Sequence, residues 1–180
     1  MKKRKFNPFP VLKTNRLILR RLSINDEKEI FLLRSDENIN KFLNRKPCTE
    51  LSEARQFIEK INEGINKDEN IYWAVEPKDK PGLIGTICLW NFSEDEKKAE
   101  IGFELLPAYQ RKGIMLEAAA AVIDYGFTKL NLDLIEGEVE PANIRSLNLM
   151  KKLNFILREE TNSPGAETVM YELKKEIFWK

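Results

Sequence analysis

Apolar positions along the chain recur with two different periods. In residues 14–22, Leu17 and Leu19 alternate with Arg16, Ile18 and Arg20, the two-residue repeat of a strand. Asn25 or Asp26 then stands where a helix cap is wanted, and Ile30, Leu33 and Arg34 follow at helical spacing. Ser52, Arg55, Ile58 and Ile61 mark a second helix, ending near Gly64 or Asn66. The apolar runs 71–75 and 83–90 flank Lys78-Asp79-Lys80-Pro81-Gly82, a turn by its chemistry. They predict an antiparallel hairpin, continued by a third strand from Ala99 after the charged turn 93–98. An apolar run from Ile101 to Leu106 stops at Pro107, and a helical pattern follows a short basic turn. That helix is apolar nearly all round (Ile114, Ile123, Tyr125, Phe127), with four consecutive alanines from Ala118 to Ala121 that let it lie close to a sheet. Residues 132–139 then read as a strand. Pro141 and Asn143 open a helix through Lys152, and 155–157 and 168–173 close the chain as short strands.

The order β, α, α, three strands, α, β, α, β, β predicts a mixed α/β layer fold. A basic arm over residues 1–12 would precede a single domain over 13–180. Neither an internal repeat nor a low-complexity segment interrupts it. The 180 residues are enough for one sizeable core.

Composition removes several chemistries. Histidine is absent, which excludes a histidine base, a Ser-His-Asp triad and histidine-ligated metal. Cys48 and Cys88 lack CxxC spacing, and two cysteines in a chain of this length fit a reduced, cytoplasmic protein. Many residues are charged, yet the formal net charge is +1, which argues against nucleic-acid binding through bulk charge. The run Lys2-Lys3-Arg4-Lys5 precedes no apolar segment, so it is not read as a signal peptide; no stretch is long enough for a membrane span. Arg111 and Lys112 sit at a helix start, where local electrostatics prefers acidic residues. Beside Gly113 they mark either an anion site or a solvated basic loop.

At Gln110-Arg111-Lys112-Gly113-Ile114-Met115 the chain resembles the acetyl-CoA motif of the GNAT superfamily of N-acetyltransferases. Thr14-Asn15-Arg16-Leu17-Ile18-Leu19-Arg20, Ala99-Glu100-Ile101-Gly102-Phe103, Asn143-Ile144-Arg145-Ser146 and Lys152-Leu153-Asn154-Phe155 extend the resemblance toward the Rim-type ribosomal-protein acetyltransferases. It implies a mostly antiparallel central sheet flanked by helices, with the family's strands four and five splayed for acetyl-CoA. The cosubstrate would be acetyl-CoA, with no metal. Its phosphates would meet the turn around Gln110, Arg111, Lys112, Gly113, Ile114, Met115 and Leu116, and its pantetheine would pair with the main chain at Phe103, Glu104 and Leu105 like an added strand. Asn143 would bond the pantetheine, besides capping its helix. Ser146 would lie near the sulfur.

Three departures matter. Met115 replaces a small residue and must turn away from the phosphates. Asn154 replaces glycine, which asparagine does with least strain. Met150 stands where many relatives carry a tyrosine acid, leaving Ser146 as the nearest proton donor. For the base, Glu100 and Glu104 share a strand face with Gly102 between them. Glu138 matches a position where some N-terminal acetyltransferases carry theirs, and Glu167 stands in reserve. Trp73, Trp90 and Phe92 read as sheet packing. The implied reaction is direct attack of an amine on acetyl-CoA, the acceptor being an N-terminal α-amine of a protein or peptide, such as a ribosomal protein. A polyamine or aminoglycoside acceptor, and a non-catalytic acyl-CoA-binding module, are the alternatives. Monomer and homodimer both stay open.

Overall fold

The computed structural model describes residues 4–158 and 168–178. Lys2 and Lys3 of the basic run, and Glu167, lie outside the described residues. Within them the strands are β1 (Leu12–Lys13), β2 (Leu17–Arg21), β3 (Ile71–Pro77), β4 (Gly85–Trp90), β5 (Lys98–Leu105), β6 (Leu134–Val139), β7 (Ile156–Leu157) and β8 (Val169–Lys174). They form one sheet in the order β1-β2-β3-β4-β5-β6-β8-β7. Only β5 and β6 run parallel; every other neighbouring pair is antiparallel. The mostly antiparallel sheet expected from the sequence is therefore present.

The helices are α1 (Glu27–Ser35), α2 (Glu37–Asn40), α3 (Leu51–Asn66), α4 (Ile114–Thr128), α5 (Ile144–Lys152) and α6 (Lys175–Phe178). α4 buries Ala118, Ala119, Val122, Ile123 and Phe127 against the sheet, as its alanine run predicts. On the opposite face α3 places Phe57 edge-on to Tyr72 of β3, with ring centres 5.7 Å apart. No described helix is long and apolar enough to cross a membrane.

From Arg4 on, the segment expected as an arm is packed against the domain. Arg4 stacks 4.2 Å over the Phe92 ring and pairs with Glu96 at 2.9 Å. Phe6 is buried in the core, and its amide donates to Asp68 Oδ1 at 2.8 Å. The apolar side chains between the basic residues supply the burial that holds the segment down.

The ladder between β5 and β6 does not run to its end. β5 pairs with β4 along its length, from Trp90↔Glu100 to Gly85↔Leu105. It pairs with β6 only at Lys98↔Leu134, Ala99↔Ile135 and Glu100↔Glu136. Beyond Glu100 the two strands part: β6 continues with β8 as far as Val139↔Val169, while the β6-facing edge of β5 goes unladdered from Ile101 to Leu105. The result is a wedge with its apex at Glu100, the splay the resemblance implies.

Candidate active site

At the open end of the wedge the chain turns from β5 into α4. A short turn, Pro107–Tyr109, leads to Gln110, and the backbone then becomes left-handed at Arg111 (φ 63°) and at Gly113 (φ 72°). Gly113 is the N-cap of α4, and its conformation is one that side-chain-bearing residues resist. The first amides of α4, at Ile114, Met115 and Leu116, have no carbonyl behind them within the helix. The turn is exposed, and Arg111 and Lys112 add charge beside it. This is an anion-binding geometry built from main chain. Met115 is buried in the core, so its bulk does turn away.

Side chains brace the turn from two sides. Gln110 donates to the Leu105 carbonyl at 2.9 Å and accepts from Arg145 of α5, tying the end of β5 to the start of α5. Arg16 donates to the Lys112 carbonyl at 3.0 Å and pairs with Glu117 at 2.6 Å. Glu117 also takes the Thr14 hydroxyl at 2.5 Å and the Arg16 amide at 2.8 Å. Desolvation pushes its carboxyl up, but the bonds from Thr14 and Arg16 outweigh that and hold it below the usual glutamate range. Neither Arg16 nor Arg145 was assigned a site role from sequence. Both lie inside the motifs that carry the resemblance, which was the available signal.

The candidate bases separate clearly. Glu104 is held by Arg45, whose guanidinium donates to both carboxylate oxygens at 2.7 and 2.6 Å. Arg45 donates in turn to Asn40 Oδ1 at 2.6 Å, so it fastens the segment between α2 and α3 to β5. Glu136 is occupied too, by Lys98 at 3.0 Å and by Arg158. Glu100 and Glu138 share this face and carry no ion pair among the described residues. Glu100 is half-buried at the wedge apex. Burial pushes its carboxyl up; the Asn91 amide, 3.4 Å away, pulls it down, the Glu138 charge pushes it up again, and Lys98 opposes that. The net direction is upward. Glu138 is exposed, and its carboxylate accepts from the Thr168 hydroxyl. Cys88 lies close by, but burial raises its thiol to about 12, too high for a thiolate nucleophile.

α5 begins on the other side of the wedge. Asn143 Oδ1 accepts the Ser146 amide at 3.2 Å, the capping role its residue type favours. The Ser146 hydroxyl has no hydrogen-bond partner among the described residues. Met150 is buried against Gly137, at the position where the resemblance expects a tyrosine. Asn154 is left-handed at φ 63°, with Phe155 and Asn154 amides returning to the Met150 and Lys151 carbonyls at 3.0 and 3.1 Å. That is a helix terminator normally built on glycine.

Residues 16–156 match the family model described as an acetyltransferase (GNAT) domain. The chain belongs to the GNAT acetyltransferases. Among its relatives, an uncharacterized N-acetyltransferase, p20, of Bacillus licheniformis is 35% identical over 93% of this chain and 97% of its own. A spermidine N(1)-acetyltransferase of Vibrio cholerae is 28% identical, covering 79% of this chain and 80% of its own. The crystal structure of a GNAT-family acetyltransferase from Bacillus anthracis superimposes with a TM-score of 0.78 at 25% identity, over 93% of this chain and 99% of that one. This GNAT domain is an acetyl-transferring enzyme. Its fold gathers the sequence-derived residues into three groups around one wedge: the turn 110–116, the free edge 103–105, and the first turn of α5 with Asn143 and Ser146. Glu100 stands at the apex, Glu138 lies two residues beyond its ladder partner on β6, and Glu104 is drawn aside by Arg45.

Proposed function

We propose that the enzyme binds acetyl-CoA in the β5–β6 wedge and transfers its acetyl group to a primary amine, with Glu100 as general base. The observation that carries this reading is the ladder that opens at Glu100, beside a half-buried carboxylate that makes no salt bridge among the described residues. The phosphates would rest on the amides of 111–116, and the pantetheine would lie as an added strand along the unladdered edge at Phe103, Glu104 and Leu105, where Gln110 already takes the Leu105 carbonyl. Asn143 keeps its amide nitrogen available to the pantetheine while its oxygen caps α5.

The amine nitrogen attacks the thioester carbonyl, a carbon–nitrogen bond forms, and the carbon–sulfur bond breaks as CoA leaves. Glu100 takes the proton lost by the nitrogen, directly or through water. The thiolate, from a thiol of pKa ~8.5, is a fair leaving group and receives a proton from Ser146 or from solvent. An α-amine with pKa ~7.7–8.0 is neutral roughly a tenth of the time at pH 7, whereas a lysine amine at ~10.4 almost never is. A single carboxylate base suits the α-amine better, so an N-terminal amine of a protein or peptide, a ribosomal protein included, is the acceptor we favour. The Glu100 and Glu138 carboxylates, which make no salt bridge among the described residues, together with the spermidine acetyltransferase relative, support a polyamine as the second reading.

Release of free thiol from acetyl-CoA in the presence of N-terminal peptides, polyamines and aminoglycosides tests the proposal. Turnover with peptides is expected. Binding of CoA with no thiol release for any amine would leave a non-catalytic module and contradict it.

A further inference from the structure

The described tryptophans of the sheet are used differently. Trp73 is fully buried, and its indole N–H donates to the Pro10 carbonyl at 2.8 Å. Trp90 is 46% exposed, contrary to the packing role expected from sequence, and its N–H has no acceptor among the described residues. It stands directly across from Glu100 in the β4–β5 ladder, so the two side chains leave the sheet on the same face. The indole leans over Gly102. A methyl carbon placed on Gly102 would sit 3.9 Å from Trp90 Nε1 and 3.1 Å from Cys88 Sγ. Glycine thus lets the indole settle over residue 102, which leaves a free N–H donor on the same sheet face as the candidate base, one residue pair away.

We infer that Trp90 is a specificity residue whose indole N–H receives the carbonyl oxygen of the acceptor's first residue while Glu100 addresses its α-amine. This deepens the function proposed above and rests on it. Directly opposed side chains in an antiparallel pair start about 5 Å apart. An α-amino carbonyl unit, whose oxygen lies only three bonds from its nitrogen, offers an acceptor for one of these neighbouring side chains and an amine for the other. A polyamine has no such oxygen: at neutral pH its remaining nitrogens are protonated donors, and they leave the indole N–H unanswered. The pairing of Trp90 with Glu100 therefore selects α-amino carbonyl compounds over simple alkylamines.

Trp90→Phe keeps a ring and removes the donor. Its kcat/KM is to be measured with an N-terminal peptide and with spermidine, alongside KM for acetyl-CoA and the melting temperature. The expected result is a loss of about three- to tenfold with the peptide, the range for one neutral hydrogen bond, with spermidine, acetyl-CoA and melting unchanged. Equal loss for both acceptors, or no loss for either, overturns the inference while acetyl transfer stands. A wild-type enzyme that acetylates spermidine but no peptide also overturns it. Failure with every amine removes the underlying reading as well.

Discussion

Glu100 carries opposed demands from stability and chemistry. Burial raises its carboxyl, so the folded state binds that proton more tightly than the unfolded chain does. Stability then declines as pH rises from the ordinary glutamate value, ~4.3, through the raised one, and at neutral pH the charge works against folding. Glu100→Gln is accordingly expected to hold or raise the melting temperature at pH 7 while lowering kcat/KM by roughly 10²–10⁴, the range for a lost general base. Its deficit should shrink as pH rises and more amine is neutral. A Glu100→Gln enzyme with near wild-type kcat/KM at pH 7 would move the base elsewhere, Glu138 being next. At this scale the sequence was half legible. Period-two spacing put Glu100, Gly102 and Glu104 on one face, which is correct. What separates the two glutamates is Arg45, 59 positions from Glu104, and no local pattern announces a contact that distant. Trp90 was misjudged for a related reason: it ends an apolar run whose burial stops one residue earlier, at Leu89.

Among elements, the β5–α4 turn and the segment tied by Arg45 make separate predictions. Acetyl-CoA is expected to raise the melting temperature, and Gly113→Asp to abolish that shift by setting a carboxylate among the phosphates. Gly113→Ala is the control, since φ at 72° strains any side-chain-bearing residue there by about 1–2 kcal/mol. It should melt lower yet still respond to acetyl-CoA; equal ligand shifts for alanine and aspartate would count against a phosphate site. Arg45→Met leaves Glu104 mostly buried and unpaired, which should cost about 2 kcal/mol, or about 4–8 °C for a domain of this size. Adding Glu104→Gln should restore most of the loss. If the double variant melts as low as Arg45→Met, the pair is not what fastens that segment. Long elements were legible because α3, α4, β3 and β5 fill whole periods of their patterns. β1, α2 and α6 span two to four residues each, too few to show a period, and they went unpredicted. Asn154 was legible through its residue type, as asparagine is the usual substitute where glycine must turn left-handed.

For the whole molecule, strand and helix order gave a mixed layer fold, and apolar runs separated by turn chemistry gave the antiparallel β3–β5 part of the sheet. The opening between β5 and β6 came only through resemblance. Nothing in the apolar pattern of either strand says that their pairing ends at Glu100, because each strand stays laddered on its other side, β5 to β4 and β6 to β8. That second pairing holds each strand in the sheet where the two part. A crystal structure of the enzyme with acetyl-CoA tests this most directly. The expected result is a pantetheine hydrogen-bonded to the main chain of Phe103 to Leu105, pyrophosphate on the amides of 111–116, and the acetyl group beside Glu100. Acetyl-CoA bound outside the wedge, or a β5–β6 ladder closed through Leu105, would contradict it.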